Sequence, residues 1–185
     1  MSAVVLLPYS ERWPLAFERI RDEVTHAFSG ERSDAGADDS AVDLQHIGST
    51  SVPELCAKPV IDVLLGAASL ARIEANIGAL AALGYVYVSK YERELPMRRY
   101  LVRDADGERP RVHLHGVVVG SPIWREHLAF RDALRIDPAL RDRYAALKTE
   151  LAARFARDKA AYTDAKAPFI RAAIDAALAT NPASP

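Results

Sequence analysis

Apolar residues recur along the chain with two periods. Trp13, Phe17, Ile20, Val24 and Phe28 step by four, three, four and four, which places them on one helix face. Pro14 falls in the first turn of that helix, where a missing N–H removes no hydrogen bond. Residues 30–40 carry almost no apolar side chain and read as an exposed loop. Val42–Ile47 and Pro59–Leu65 follow as strands. The run Val60-Ile61-Asp62-Val63-Leu64-Leu65 is apolar at all but one position, the pattern of a strand covered on both faces. Leu70, Ile73, Ile77, Leu80 and Leu83 predict a helix that Gly84 ends. Tyr85–Ser89, Arg98–Arg103 and Arg111–Val119 predict further strands, with Asp104-Ala105-Asp106-Gly107 as the turn between the last two.

The last third is helical. Ser121-Pro122 and Asp137-Pro138 are each a capping residue followed by proline at the first helical position. Trp124, Leu128, Arg131 and Leu134 continue the first of these helices. Leu140, Tyr144, Leu147, Leu151 and Phe155 form the stripe of the second. A final helix carries Tyr162, Phe169, Ile170, Ala173 and Ile174, and Pro168 predicts a kink or break in it. The expected fold is one α/β (α+β) domain over residues 1–180. It is a mixed β-sheet flanked by helices with a helical C-terminal layer, and residues 181–185 form a frayed tail.

Composition narrows the function. A chain of 185 residues is long enough for one well-buried domain. Its 24 basic and 25 acidic residues leave a net charge of −1, without the polybasic footprint of a general nucleic-acid binder. Cys56 is the single cysteine, which excludes an internal disulfide framework and a multi-cysteine metal site. No stretch approaches the roughly 18–20 apolar residues that span a bilayer, and no basic segment precedes a signal-like run. The expectation is a soluble, cytoplasmic protein whose partner is neither a membrane nor a nucleic acid. Oligomeric state is not legible.

The chemistry concentrates in the segment 46–63. Gly48 lets the backbone approach a ligand closely. Ser49 and Thr50 offer hydroxyls and N–H groups near a helix start, which suits an anion, although the P-loop pattern is absent. Lys58, fixed in direction by Pro59, is either a phosphate contact or an exposed lysine. Asp62 in an apolar strand needs a partner, because an unpaired buried carboxylate is costly. His113 and His115 alternate on a strand and share a face. With a carboxylate they can hold a transition metal such as Zn²⁺, Mn²⁺ or Fe²⁺, contact substrate as acid and base, or form a structural pair. His46 is expected to hold the turn that follows it. Arg131, four residues after His127, is either an anion ligand or a tie between helix and sheet. Lys166, four residues after Tyr162, reaches either the cleft or water.

These residues carry a resemblance. A Gly48-Ser49 turn, a spacer of about a dozen residues and an acid on an apolar strand resemble the nucleotidyltransferase superfamily. The segments HIGSTSVPELCAKPVIDVLL, HLHGVVVGSPIWREHLAFRDALR and YAALKTELAARFARDKAAYTDAKAPFI, with the opening PYSERWPLAFE, resemble one branch of it, the GrpB family, over nearly the whole chain. They also resemble a domain found on the C-terminal side of some dephospho-CoA kinases. The resemblance implies a nucleotidyltransferase-like fold with the Gly48-Ser49 turn on the phosphates of a small phosphate-bearing or nucleotide ligand. It implies a divalent metal (Mg, Mn or Zn) at Asp62, and it places the His113 strand where a third acid would lie. It also favours Arg99 over Arg98 as the arginine of the pocket. The superfamily's second acid falls on Leu64. Three readings follow: a nucleotidyl or phosphoryl transferase, a non-catalytic nucleotide or anion module, and a metal enzyme built on His113, His115 and Asp62.

Overall fold

The protein is described from a computed structural model over residues 4–29 and 41–180. The loop expected at 30–40 and the tail expected at 181–185 lie outside the described residues. Five strands form one mixed sheet: β1 (Asp43–Ile47), β2 (Val60–Ala67), β3 (Val86–Tyr87), β4 (Arg99–Arg103) and β5 (Arg111–Val118). Their order is β1-β2-β5-β4-β3, and only the central β2–β5 pair is parallel. The predicted mixed sheet, its helical flanks and its helical C-terminal layer are all present.

One face of the sheet is closed by α1 (Arg12–Ser29), α2 (Leu70–Ala75) and α3 (Ile77–Ala82). Trp13, Phe17, Ile20, Val24 and Phe28 of α1 pack against Ile61, Val63, Leu65, Val112 and Leu114. All five predicted stripe residues of α1 are buried. The helix predicted across Leu70–Leu83 is two short helices. Asn76 is fully buried between them, and its side-chain amide donates to the Arg72 carbonyl at 2.9 Å. That local bond competes with helix continuation. Gly84, at φ 88°, ends α3 as expected.

The opposite face is only partly covered. There α4 (Pro122–Ile136) sets Trp124 against Ile47, Leu64 and Val117. Gly66 makes this possible, because a Cβ at that position would strike the Trp124 indole. Next come α5 (Pro138–Arg154), α6 (Lys159–Asp164) and α7 (Ala167–Thr180), which form the C-terminal layer. The break predicted near Pro168 falls between α6 and α7, leaving Pro168 in the first turn of α7. The uncovered part of this face is the floor of a cleft.

Candidate functional site

The cleft encloses about 540 Å³ between the sheet and the C-terminal helices. Strand alternation builds its floor. Asp62 on β2 pairs in register with His113 on β5, and His115 pairs with Tyr100 on β4. These residues share the face that α4 leaves open. Asp62 Oδ1 lies 3.2 Å from His113 Nδ1 and 3.7 Å from His115 Nε2. Burial pushes the Asp62 carboxyl up, but the two imidazoles outweigh it and hold it well below the ordinary carboxylate range. His115 is itself pushed down, by burial first.

The turn after β1 forms one wall. Gly48 adopts φ 68° and ψ −175°, and a Cβ there would overlap Asp62 Oδ2 and sit 3.0 Å from its Cβ and Cγ. A single 3₁₀ turn, Ser49–Ser51, follows, with the Ser51 N–H donating to the Gly48 carbonyl at 3.2 Å. The Ser49 and Thr50 N–H groups precede that first bond. Thr50 is spent on structure: its hydroxyl donates to the Val60 carbonyl at 3.1 Å and meets His46 Nε2 at 3.0 Å. With that hydroxyl hydrogen committed, His46 must be the donor from Nε2. His46 also stacks on Phe17, 4.9 Å between ring centres. The sequence expectation that His46 holds the turn describes this geometry.

His46 makes stability depend on pH. Burial, with Arg135 nearby, pushes its pKa from 6.5 to about 4. An unfolded chain therefore takes up a proton below about pH 6.5 that the folded chain refuses until about pH 4. Stability is expected to fall across that window, by about 2 kcal/mol between pH 7 and pH 5 from this group alone. Urea unfolding at the two pH values checks it. A His46→Gln variant, less stable at pH 7, should lose correspondingly less on acidification.

The far wall comes from α5, α6 and α7. Lys148 is 2% exposed, and its ammonium donates to Ser49 Oγ at 3.0 Å and to the Cys56 carbonyl. Lys166 and Lys58 stand 4.4 and 5.2 Å from the centre of the Tyr162 ring. Burial first, then neighbouring lysines (Lys166 and Lys58 on Lys148, Lys58 on Lys166), push Lys148 and Lys166 down to about 8, and burial lowers Lys58 as well. Arg98 completes the set, lying 5.1 Å from the Tyr100 ring centre and 3.3 Å from His115 Nδ1. Among the described residues, four cations line the cleft (Lys58, Arg98, Lys148 and Lys166) and one carboxylate, Asp62.

The structure thus gathers Gly48, Ser49, Thr50, Lys58, Asp62, His113, His115 and Lys166 around one cleft. Two expected residues lie elsewhere. Arg99 points away from it: its Nη2 pairs with Glu74 at 2.6 Å and its Nη1 donates to the Pro96 carbonyl at 2.9 Å. Neighbours on an extended chain face opposite ways, so Arg98 takes the cleft with Tyr100. Arg131 ties helix to sheet through Gln45 Oε1 and the His46 carbonyl, at 2.9 and 3.3 Å, and pairs with its helix neighbour Asp132 at 2.7 Å. Lys148, Arg98 and Tyr144 are among the lining residues that sequence reasoning did not select. Tyr144 and Lys148 are four apart on α5, and that spacing was the available signal.

A two-metal centre does not fit these residues. A two-metal clamp needs several oxygen ligands, and Asp62 is the single carboxylate lining the cleft among the described residues. Leu64, where a second acid would stand, is fully buried against Trp124. Asp62, His113 and His115 do bring three ligand atoms within 4.8 Å of one another.

Comparison with known proteins places the chain. The family model described as GrpB protein matches residues 3–176. The chain belongs to the GrpB family. A UPF0157 protein of Halalkalibacterium halodurans is 33% identical over 179 residues, covering 97% of this chain and 85% of that one. A dephospho-CoA kinase of Mycolicibacterium paratuberculosis is 31% identical over 190 residues. That match covers 91% of this chain but only 44% of the kinase, in line with the fusion that the resemblance implied. The crystal structure of conserved protein GrpB from Enterococcus faecalis superposes with a TM-score of 0.79 at 29% identity, covering 95% of this chain and 98% of that one. Among the described residues of this GrpB-family chain, no helix is long and apolar enough to cross a membrane.

Proposed function

We propose that the cleft binds a small phosphate-bearing molecule, a nucleotide or a coenzyme precursor, with its phosphates among Lys58, Lys148 and Lys166 beside the Gly48-Ser49 turn. The charge imbalance carries this reading. Four buried or half-buried cations face one carboxylate, which two imidazole nitrogens already face at 3.2 and 3.7 Å. Ammonium groups crowded in this way repel one another, and a bound anion relieves that repulsion. Tyr91 and Tyr100, packed edge to face with 5.8 Å between ring centres, add aromatic surface to the cleft lining. The kinase relative makes dephospho-CoA one natural probe. Of the two anion-binding readings of the sequence, the binding module is favoured, because Leu64 removes the second acid that nucleotidyl transfer by two metals needs.

A thermal-shift and calorimetric panel tests it with pyrophosphate, ATP, dephospho-CoA and the uncharged nucleoside adenosine. A ligand at a hundred times its dissociation constant adds about 2.7 kcal/mol, a shift of several degrees. The phosphate-bearing compounds should raise the midpoint and adenosine should not. No shift with any of them removes the proposal.

A further inference from the structure

The Asp62–His113–His115 cluster looks at first like a mononuclear metal site. Its outer hydrogen bonds point the other way. A guanidinium has N–H groups and no lone pair, so any ring nitrogen it meets must be an acceptor. Arg111 Nε donates to His113 Nε2 at 3.3 Å, and Arg98 Nη1 meets His115 Nδ1 at 3.3 Å. A neutral imidazole carries a single N–H. The proton of His113 therefore sits on Nδ1 and that of His115 on Nε2, the two nitrogens that face Asp62 Oδ1.

A histidine that ligates a metal has the reverse arrangement. Its inner nitrogen gives a lone pair to the ion, and its outer N–H donates to a carboxylate, a carbonyl or water. Placing an ion among these three residues would move both protons outward, onto nitrogens that face guanidinium donors. Each guanidinium has a second contact. Arg111 Nη1 pairs with Asp104 at 2.6 Å, and Arg98 stacks over Tyr100.

We infer that Asp62, His113 and His115 form a proton-wired anchor rather than a metal centre, and that the cleft takes its phosphate-bearing ligand without a divalent cation. This deepens the proposed anion site and rests on it for the ligand. In the wired state both N–H groups point at Asp62 Oδ1, His113 from 3.2 Å and His115 from 3.7 Å, so the carboxylate keeps two N–H dipoles on it without an ion. Arg98 links the anchor to the cleft, because the guanidinium that fixes the His115 tautomer also lines the space the ligand enters. The ligand's charge is then met by Lys58, Lys148, Lys166 and Arg98, the work a divalent ion performs in two-metal sites.

The test uses the full chain labelled with ¹⁵N and treated with a chelator. Long-range ¹H–¹⁵N spectra should show His113 as the Nδ1–H tautomer and His115 as the Nε2–H tautomer. Either imidazole in the opposite tautomer overturns the inference. Zn²⁺ and Mn²⁺ titrations should leave both N–H signals in place. Stoichiometric loss of those signals on adding metal to the wild type also overturns it. Converting the two donors, Arg98→Met with Arg111→Met, should tighten Zn²⁺ binding at the cluster by about tenfold or more, because each charged donor lost removes one obstacle. An unchanged Zn²⁺ affinity in the double variant overturns the role given to the arginines. Pyrophosphate should bind the wild type equally well with and without EDTA, and a tenfold loss on chelation overturns the inference even where the tautomers hold. Absence of pyrophosphate binding under both conditions overturns the anion-site reading instead, and the tautomers still decide this one.

Discussion

Replacing Gly48 with alanine is expected to abolish ligand binding and to lower stability, although it adds one methyl group. The backbone at φ 68° and ψ −175° lies in a region that L-residues avoid. Holding alanine there costs about 1–3 kcal/mol, which corresponds to a fall of roughly 3–10 °C in the melting midpoint. The added Cβ also overlaps Asp62 Oδ2, so the turn and the carboxylate cannot both keep their places. Affinity for pyrophosphate should drop by more than about a hundredfold, the scale of losing a charged contact with its positioning. Gly78→Ala is the matched control. A Cβ at Gly78 meets nothing within 4 Å, and Gly78 lies inside α3. That change should stabilise the protein by about 0.5–1 kcal/mol and leave binding alone. Equal behaviour of the two variants in both measurements removes the special role given to the Gly48 turn.

The double substitution Lys148→Met with Lys166→Met should separate binding from folding. Truncating one partner of a buried charge contact costs about 2–5 kcal/mol of binding, so two such losses should weaken pyrophosphate by about a thousandfold or more. Stability should change far less. Methionine fills a similar volume, and removing a desolvated charge offsets the lost hydrogen bonds to Ser49 Oγ and the Cys56 carbonyl. Because both lysines are pushed down to about 8, wild-type affinity should also fall as pH rises above that value, where the free ammonium groups lose their protons. Calorimetry at pH 7 and pH 9 beside denaturant titration reads all of this. Unchanged affinity in the double variant would place the lysines in the architecture rather than in recognition.

Much of the fold was legible because burial leaves periodic traces. The α1 stripe and the near-continuous apolar run of β2 were visible at residue level, since each faces a core that accepts only apolar side chains. The break at Asn76 was hidden, because it depends on one side chain bonding back to Arg72 inside the core. The site was legible where chemistry was conspicuous. Gly48, Asp62, His113 and His115 stood out as polar or flexible residues in apolar surroundings. Lys148 did not. A lysine between Leu147 and Leu151 reads as solvent-facing until the tertiary fold buries its stem and aims its head at Ser49. The choice between Arg98 and Arg99 turned on the phase of β4, which register with β5 decides and local sequence does not.

The parallel pairing of β2 with β5 has a consequence for how the protein comes to exist. Asp62 and His113 meet across strands about fifty residues apart, and contacts that close so long a loop are entropically expensive and form slowly. The β1–β2 hairpin and the β4–β5 hairpin can each assemble locally, yet neither contains the whole anchor. Asp62 comes from the first and His113 with His115 from the second. A newly made chain therefore acquires its cleft only when its two halves dock. Any molecule that recognises the cleft senses completed assembly, and can protect the chain at the seam where it is slowest to close.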